Sequence, residues 1–238
     1  MPYKPHVVYT LCSNPCPLVS AMDNLDYIHA KLLKTHAITE GPRKLVEIWL
    51  RVHGLRKSIE EYVSRLRGSK GVSVTEVSIG RYSALLRLVL DTGLYCASCA
   101  DCCPYTSQPP YTLLDSIIVT PRGVLRRHIV LRRSDDNIVT RGCRVIAEIE
   151  LEDCGFSLTP RQEDALVAAY REGYYSFPRR TSLKKLAEKL GLSVSSLAEL
   201  LHRAEAKIIE SFLYTELPHL MLEHTEPYPA GSSGKRRS

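Results

Sequence analysis

The spacing of apolar residues changes once along this chain, and that change limits the folds it can adopt. Before residue 154, the segments DYIHAKLLKTHAI (26–38) and RKLVEIWLRVH (43–53) alternate apolar and polar residues, as half-buried strands do. From residue 159 onward the apolar residues repeat at helical spacing. The sequence therefore predicts an α+β protein with a mixed α/β N-terminal domain and an all-α C-terminal domain.

The N-terminal domain is predicted over residues 1–154. Its first elements, in chain order, are a strand at 6–11, a helix at 17–25, strands at 26–38 and 43–53, a helix at 55–68 and a strand at 72–90. This β-α-β-β-α-β order predicts a ferredoxin-like or ACT-like domain. Two more strands are predicted at 123–133 and 143–153, with a helical turn between them that starts at Ser134.

The C-terminal domain is predicted over residues 155–222, and residues 223–238 form a polar basic tail that we expect to be disordered. Thr159 can cap the first helix, Pro160 suits its first position, and Gln162 completes a capping box. The apolar stripe of this helix is predicted to consist of Leu166, Ala169 and Tyr170. The whole domain is thus expected to be a small helical bundle.

The stretch LAEKLGLSVSSLAELL (186–201) has the features of a helix-turn-helix. Gly191 can adopt left-handed backbone, Leu192 is expected to fill the gap between the two helices, and Ser193 can cap the next helix. Such a cap contributes about 1 kcal/mol. The residues predicted to face the core are Leu183, Leu186, Ala187, Leu190, Leu197, Leu200, Leu201, Ala204 and Ile208. In a helix-turn-helix the second helix of the pair enters the DNA major groove.

Packing of these leucines leaves one face of the last helix free, and short hydroxyl side chains at its start can approach base edges or phosphates. The stretch FPRRTSLKKLAEK (177–189) carries five basic residues against Glu188, so it can neutralise phosphates. The predicted DNA-binding residues are Arg179, Arg180, Lys184, Lys185, Ser193, Ser195, Ser196, Glu199, His202 and Arg203. The alternative interpretation is a three-helix bundle with a solvated basic face.

Five short motifs follow one another in this region: LTPRQ (158–162), AxxxGYY (169–175), PRRT (178–181), LAEKLGLS (186–193) and LxxAExK (201–207). Together they resemble the C-terminal helix-turn-helix of archaeal bacterio-opsin-activator-type regulators, and the fold is also similar to region four of bacterial sigma factors. The resemblance implies a DNA-binding transcription regulator, with a variable N-terminal domain that receives a signal.

Double-stranded DNA is therefore the expected partner. A homodimer is expected too, because one helix in one groove gives little specificity and two half-sites a helical turn apart increase it. The alternative from another class is a transcription adaptor whose helical domain binds basal transcription factors or RNA polymerase. An enzyme is not expected, because the sequence contains neither HExxH nor a glycine-rich nucleotide loop.

The stretch YCASCADCCPY (95–105) lies in a cysteine- and proline-rich insert at 95–111. Its C-x2-C-x2-C-C spacing lets three thiolates converge on one ion. The candidate ligands of a zinc ion or an iron–sulfur cluster are Cys96, Cys99, Cys102, Cys103, Cys12 and Cys16. Disulfide pairing and buried free thiols are the alternatives. Metal binding or oxidation would order the insert, shift the sensor domain or dimer contact, and change the affinity for DNA.

Charge and hydropathy place the chain in a broad class. The net charge of +6 is compatible with nucleic acid, and no apolar run is long enough to span a membrane, so a cytoplasmic protein is expected. Arg126, His128 and Arg132 alternate with apolar residues and are predicted to line a solvated strand face, with a second DNA contact or a site for an anionic ligand as the alternatives. The apolar extension at 208–222 is expected to dock on the N-terminal domain or on a dimer partner.

Overall fold

The alternating segments of the N-terminal half form strands of one antiparallel sheet. The computed structural model describes residues 5–13, 16–40, 43–95, 112–131, 143–151 and 157–223. The chain divides into a first unit of residues 1–151 with 219–238, and a second unit of residues 152–218. The division falls close to the predicted boundary at 154, but the described residues 219–223 belong with the first unit. No helix within the described ranges is long and apolar enough to cross a membrane.

The described residues form eight strands and seven helices. The strands are β1 (His6–Cys12), β2 (His29–Glu40), β3 (Arg43–His53), β4 (Val72–Ile79), β5 (Ser83–Asp91), β6 (Thr112–Thr120), β7 (Gly123–Val130) and β8 (Arg144–Glu150). The helices are α1 (Pro17–Ser20), α2 (Arg56–Gly68), α3 (Thr92–Tyr95), α4 (Pro160–Arg171), α5 (Leu183–Leu190), α6 (Val194–Glu216) and α7 (Pro218–Glu223). Helices α4 to α6 lie in the second unit, so the predicted α+β class is confirmed.

The strand order of the sheet corrects the predicted topology. The order is β4-β5-β3-β2-β6-β7-β1-β8, and every neighbouring pair is antiparallel. Strands β3 and β4 therefore run parallel with β5 between them, and α2 joins them as a split β-α-β unit. Strands β1 and β2, which flank α1, run antiparallel and are separated by β6 and β7. The ferredoxin-like or ACT-like prediction is wrong here, because β1 pairs with β7 and β8.

Three other elements of the first unit differ from the prediction. The stretch 72–90 forms two strands, because the chain turns at Gly80, whose N–H donates to the Ser83 carbonyl oxygen at 2.8 Å. The helix expected over 17–25 is the single turn α1. Strand β6 was not predicted, because its apolar residues come in adjacent pairs and residues 116–120 are buried in succession. The helical turn predicted after Ser134 lies outside the described residues.

The core of the first unit forms where α1 and α2 pack on the sheet. The face that α2 buries is the predicted one, formed by Ile59, Tyr62, Val63 and Leu66. The Tyr62 hydroxyl donates to the Leu18 carbonyl oxygen of α1 at 3.2 Å, so its buried polar atom is satisfied. Leu55, also predicted on that face, is exposed because it precedes the first turn as the N-cap.

Three histidines of the first unit lie close together. His29 in β2 and His53 in β3 are register partners, and their rings stack with centroids 5.2 Å apart. The ring of His219 in α7 has its centroid 4.2 Å from that of His29. The sequence-based prediction that residues 208–222 dock on the N-terminal domain or on a partner is thus confirmed for His219, which contacts β2.

Burial keeps the imidazoles of His29 and His219 neutral. Desolvation, followed by the charges of His219 and His53, lowers the pKa of His29 to about 3. Desolvation, followed by the charge of His53, lowers the pKa of His219 to about 4. Both values lie below the ordinary histidine pKa of 6.5, so the unfolded chain binds more protons than the folded one between those limits.

We expect the first unit to lose stability as the pH falls from about 7 to about 4. The neutral histidines contribute fully to stability above the pKa of an unfolded histidine, and this contribution decreases as the pH falls toward their pKa in the folded protein. Thermal unfolding can be followed by the fluorescence of Trp49, the single tryptophan, which lies in β3. The His219→Gln variant should have a shallower pH dependence. His202→Gln, which removes an exposed histidine of α6, is the control. An equally steep dependence in His219→Gln would contradict the argument.

The helices α4, α5 and α6 each begin at a capping side chain, and the caps of α4 and α6 are the predicted ones. The Thr159 hydroxyl accepts from the Gln162 N–H, and the Gln162 side chain accepts from the Thr159 N–H, which completes the capping box of α4. Ser182 caps α5 and Ser193 caps α6. Each serine oxygen satisfies one of the N–H groups that a helix start leaves without an intrahelical partner.

The turn between α5 and α6 has the predicted backbone. Gly191 has φ of +65°, a left-handed conformation that glycine adopts without steric cost. The N–H of Leu192 donates to the carbonyl oxygen of Ala187 at 3.0 Å, which closes the last turn of α5. The chain can therefore turn within three residues and pack α6 against α5.

The core of the second unit confirms most of the predicted apolar face. Its buried members are Ala165, Ala169, Leu186, Ala187, Leu197 and Leu201. Three predictions are wrong. Tyr170 follows the buried Ala169 and is 76% exposed, because successive helical residues point about 100° apart. Leu192 is 36% exposed at the rim of the turn, and Ile208 lies beyond Ala204, the last buried residue of α6.

Replacing Leu197 with alanine should lower the free energy of unfolding of the second unit by about 2–5 kcal/mol, because Leu197 is fully buried and a cavity would remain. The matched control is Leu192→Ala, which should cost about 0.5 kcal/mol or less because that side chain is partly in solvent. Hydrogen exchange of α4–α6 amides in increasing urea measures both. Equal losses would contradict the burial that orients α6.

Candidate nucleic-acid interface

The exposed start of α6 carries three serine side chains. The Ser193 hydroxyl accepts from the Ser196 N–H at 3.1 Å, and the hydroxyls of Ser195 and Ser196 lie 3.0 and 2.7 Å from it. All three residues are exposed, and no acidic residue occupies the first turn of this helix. A helix N-terminus carries partial positive charge and free N–H groups, so this end of α6 favours an anion.

The next turns of α6 add charged side chains on the same face. Arg203 Nη2 lies 2.5 Å from Glu199 Oε1, and these two side chains are 67% and 62% exposed. His202 is exposed beside Arg203. An ion pair this exposed contributes only about 0–1 kcal/mol, so the Arg203 guanidinium can exchange Glu199 for another acceptor.

Two arginines lie in the loop between α4 and α5. The guanidinium carbon of Arg179 lies 4.6 Å from the ring centroid of Tyr174, a cation–π contact. Gly173, with φ of +73°, ends α4, and its carbonyl oxygen accepts from the Arg180 N–H at 3.1 Å. A Cβ at Gly173 would lie 2.9 Å from the Arg180 side chain. Glycine at this position therefore lets Arg180 pack against the end of α4, while both arginines stay exposed.

The basic residues of α5 lie in its first and last turns and differ in their contacts. Lys184 and Lys185 are exposed in its first turn. Lys189 in the last turn places its Nζ 2.5 Å from Glu172 Oε1 and so joins α5 to the end of α4. The two lysines of the first turn remain available to an anion, whereas Lys189 has a structural partner.

All ten predicted DNA-binding residues are therefore exposed, on two stretches of the same unit. The serines, Glu199, His202 and Arg203 share α6, and the four other cations lie between residues 179 and 185. The apolar residues Leu186, Ala187 and Leu197 pack α5 against α6 and hold the two stretches together. That these residues contact DNA stays a prediction.

An exposed aromatic side chain in the same loop was not predicted. Phe177 is fully exposed and precedes Pro178 and the two arginines. Next to it in the loop, the Tyr175 hydroxyl donates to Glu205 Oε1 at 2.5 Å, which ties the loop to α6. Burial, followed by that hydrogen bond, raises the pKa of Tyr175. The sequence does contain a signal for Phe177, because this aromatic residue precedes two arginines in a loop between helices. Exposed apolar rings mark contact surfaces.

The cysteine prediction needs one correction. Cys12, a candidate metal ligand, forms a disulfide with Cys143, and a disulfide sulfur is not the thiolate that a metal site requires. Cys16 is half-buried, and the other candidate ligands, Cys96, Cys99, Cys102 and Cys103, lie outside the described residues. In the ranges that the structure describes, no group of three or more His, Cys, Asp or Glu residues could hold a metal ion. A zinc or iron–sulfur site at the cysteine-rich insert stays a prediction.

The prediction of a solvated cationic face on β7 is wrong. Arg126 is 6% exposed and His128 is 3% exposed, in a strand that lies between β1 and β6. Desolvation, followed by the charge of Arg126, lowers the pKa of His128 to about 4. Arg132 lies outside the described residues. Alternating cations in a sequence do not reveal whether their strand is central or at an edge.

Comparison with known proteins identifies the helical region. Residues 158–210 match the family model described as "HTH DNA binding domain". These residues are a bacterio-opsin-activator-type HTH domain. Proteins named dimethyl sulfoxide reductase transcriptional activator are similar to it, with 45% identity over 60 residues in Haloferax volcanii and 41% over 56 residues in Halobacterium salinarum.

These alignments cover a limited part of each chain. They span 25% and 24% of this chain, and 28% and 25% of the two relatives. The aligned region is thus about a quarter of the length of the curated relatives, and the sheet unit lies outside the HTH match. No solved structure matches the chain. The predicted family resemblance of the HTH domain is confirmed.

Replacing Arg180 with alanine should weaken binding to all DNA duplexes alike, because a phosphate contact carries no sequence information. The slope of log K against log salt should fall by about 1. Fluorescence anisotropy at several salt concentrations, with an operator and a scrambled duplex, measures this. Arg56→Ala, which removes an exposed arginine of α2 in the first unit, is the charge-matched control. A loss confined to one DNA sequence would contradict the phosphate role.

Proposed function

We propose that this chain is a DNA-binding transcription regulator that reads the major groove with α6 of its HTH domain. The observation that carries the proposal is the exposed edge of α6, from Ser193 to Arg203, on a helix whose Leu197 and Leu201 are buried. An α-helix fits the major groove, where serine hydroxyls contact either kind of base edge and arginine binds guanine in a bidentate manner. Ser195, Ser196, Glu199 and Arg203 read bases, with His202 at the margin.

The cations before α6 anchor the domain to the DNA backbone. Arg179, Arg180, Lys184 and Lys185 are exposed, and the Tyr174 and Gly173 contacts restrict the two arginines. Restricting a side chain in advance reduces the conformational entropy lost on binding. These residues position the domain on the duplex, while the α6 edge selects the sequence.

The regulator acts as a homodimer on two half-sites. A single helix in one groove contacts few base pairs, and each mismatched pair changes the binding free energy by about 1–3 kcal/mol. Two HTH domains a helical turn apart combine those differences. The names of the two halophilic relatives, both transcriptional activators, support a role in transcription for the shared domain.

Control of this binding by metal or redox state is the second part of the proposal. The C-x2-C-x2-C-C spacing of Cys96, Cys99, Cys102 and Cys103, with Cys16 as a further ligand, suits a zinc ion or an iron–sulfur cluster. Metal analysis of protein purified with and without oxygen tests this part. Protein without stoichiometric zinc or iron, whose DNA binding is indifferent to reductant, would overturn it.

Selection of duplexes from a random pool by the purified full-length chain tests the DNA-binding proposal. We expect a half-site to emerge and Ser196→Glu with Arg203→Ala to abolish binding to it, because the new carboxylate repels phosphates and the guanine contact is lost. The control is Ser64→Glu with Arg67→Ala on α2, which makes the same charge changes on exposed residues of the first unit. Anisotropy titrations compare the three proteins.

The same experiment discriminates an adaptor from a regulator. An adaptor that binds basal transcription factors or RNA polymerase would select no sequence and would bind duplexes weakly, with all affinity lost at moderate salt. That outcome, or equal binding by the α6 double variant and the α2 control, would overturn the proposed function.

A further inference from the structure

The disulfide of the first unit joins two neighbouring strands at their ends. Cys12 is the last residue of β1, and Cys143 comes directly before β8. Leu11 is the register partner of Arg144, so the two cysteines continue the same antiparallel ladder by one residue. Their Cα atoms are 4.4 Å apart, the spacing of a pair whose side chains face each other without backbone hydrogen bonds between them. The ladder itself thus holds the two sulfurs together.

A buried cation contacts one of these sulfurs. Arg126 Nη2 lies 3.0 Å from Cys143 Sγ, and Arg126 Nε lies 3.4 Å from Thr10 Oγ1 on β1. Arg126 is 6% exposed and Thr10 is fully buried. A guanidinium remains charged at any relevant pH, and its attraction to an anion is stronger where water is excluded.

The two cysteine residues differ in exposure. Cys12 is 3% exposed, whereas Cys143 is half-buried. An accessible thiolate beside a cation, with a second cysteine within bonding distance, is the arrangement of a redox-sensing cysteine and its resolving partner. Arg126 contacts Cys143, so the charge and the greater exposure favour the same cysteine.

We propose that Cys143 and Cys12 form a reversible thiol–disulfide pair, in which Cys143 reacts with hydroperoxides, Cys12 resolves the product, and Arg126 positions and stabilises the Cys143 thiolate. Neither cysteine belongs to the cysteine-rich insert at 95–111. The redox pair stands whether or not the second unit binds DNA, because its chemistry lies within the first unit.

The oxidation has two steps. The Cys143 thiolate attacks an oxygen of the hydroperoxide, an S–O bond forms as the O–O bond breaks, and the leaving hydroxide or alkoxide takes up a proton. The Cys12 thiol then attacks the resulting sulfenic sulfur, an S–S bond forms as the S–O bond breaks, and the thiol proton leaves with the hydroxide as water. Two electrons pass from the two thiols to the hydroperoxide. A dithiol reverses the change by two exchanges and becomes a disulfide itself.

Strand β8 is the element whose stability depends on this bond. It lies at the edge of the sheet, pairs with β1 among the described strands, and buries none of its seven residues fully. Its ladder with β1 is also irregular between Tyr9 and Thr10. Reduction therefore removes a covalent link from a weakly packed edge strand, and we expect its amides to exchange faster in the reduced protein.

The first test follows the sulfurs. Full-length protein is reduced, freed of reductant and given stoichiometric hydrogen peroxide, and its cysteines are mapped by alkylation and mass spectrometry. The expected result is return of the Cys12–Cys143 peptide pair. In Cys12→Ser, Cys143 should carry a sulfenic acid that dimedone traps, and in Cys143→Ser, Cys12 should carry none. Trapping on Cys12 instead of Cys143, or oxidation of other cysteines with this pair unchanged, would overturn the proposal.

The second test separates Arg126 from a merely structural role. In the Cys12→Ser background, the rate at which iodoacetamide alkylates Cys143 is measured against pH. Arg126→Gln should slow this reaction about tenfold near neutral pH, because an adjacent cation shifts such a titration by about one unit or more, and Arg126→Lys should restore most of the rate. Trp49 fluorescence checks folding. Should Arg126→Gln unfold, Cys143 of the parent must still react at lower pH than free cysteine, and failure to do so would overturn the role of Arg126.

The third test follows β8. Amide exchange of residues 144–150 is compared between oxidised and reduced protein, with the amides of α2 as the internal control. We expect at least a several-fold faster exchange in reduced β8 and no change in α2. Unchanged exchange in β8 would overturn its dependence on the bond, while the sulfur chemistry is judged by the first test.

Discussion

The burial of Leu197, Leu201 and Ala204 determines which face of α6 meets the solvent. These residues lie four and three positions apart, so they form one stripe along the helix, and that stripe packs in the core with α4 and α5. A rotation of α6 by one residue position would bury the serine–arginine edge and expose leucine. The proposed DNA-reading surface is therefore a consequence of hydrophobic packing on the opposite side of the same helix.

The two units place their polar groups differently. In the second unit the arginines are exposed, as are the predicted DNA-binding lysines and serines, and Arg179 and Arg203 stay exposed although each contacts a neighbouring side chain. In the first unit Arg126 and His128 lie inside the sheet, and His219 is buried against His29. Charges act at longer range and more strongly where water is excluded, so the sheet unit contains the groups whose chemistry responds to protons and oxidants.

The helical unit could be predicted from sequence almost completely, because its determinants are local. The capping box of Thr159 and Gln162, the serine caps and the glycine turn each depend on residues within five positions of one another. The errors there, at Tyr170, Leu192 and Ile208, concern the edges of the apolar stripe, where a shift of one position changes exposure. The motifs of residues 158–209 also predicted the domain family, and the family match over residues 158–210 confirms it.

The strand order of the sheet could not be predicted from sequence, because strand pairing joins residues far apart in the chain. The sequence by itself determined where most strands and helices lie, the apolar face of α2, and the α5–turn–α6 pair with its exposed serines and cations. Only the tertiary structure decided that β1 lies between β7 and β8, that Arg126 and His128 are buried, and that Cys12 meets Cys143 across 131 positions of sequence. Contacts within a helix repeat every three or four residues, so the local sequence pattern predicts them. A strand alternates in the same way whichever neighbour it pairs with, so its sequence does not predict that neighbour.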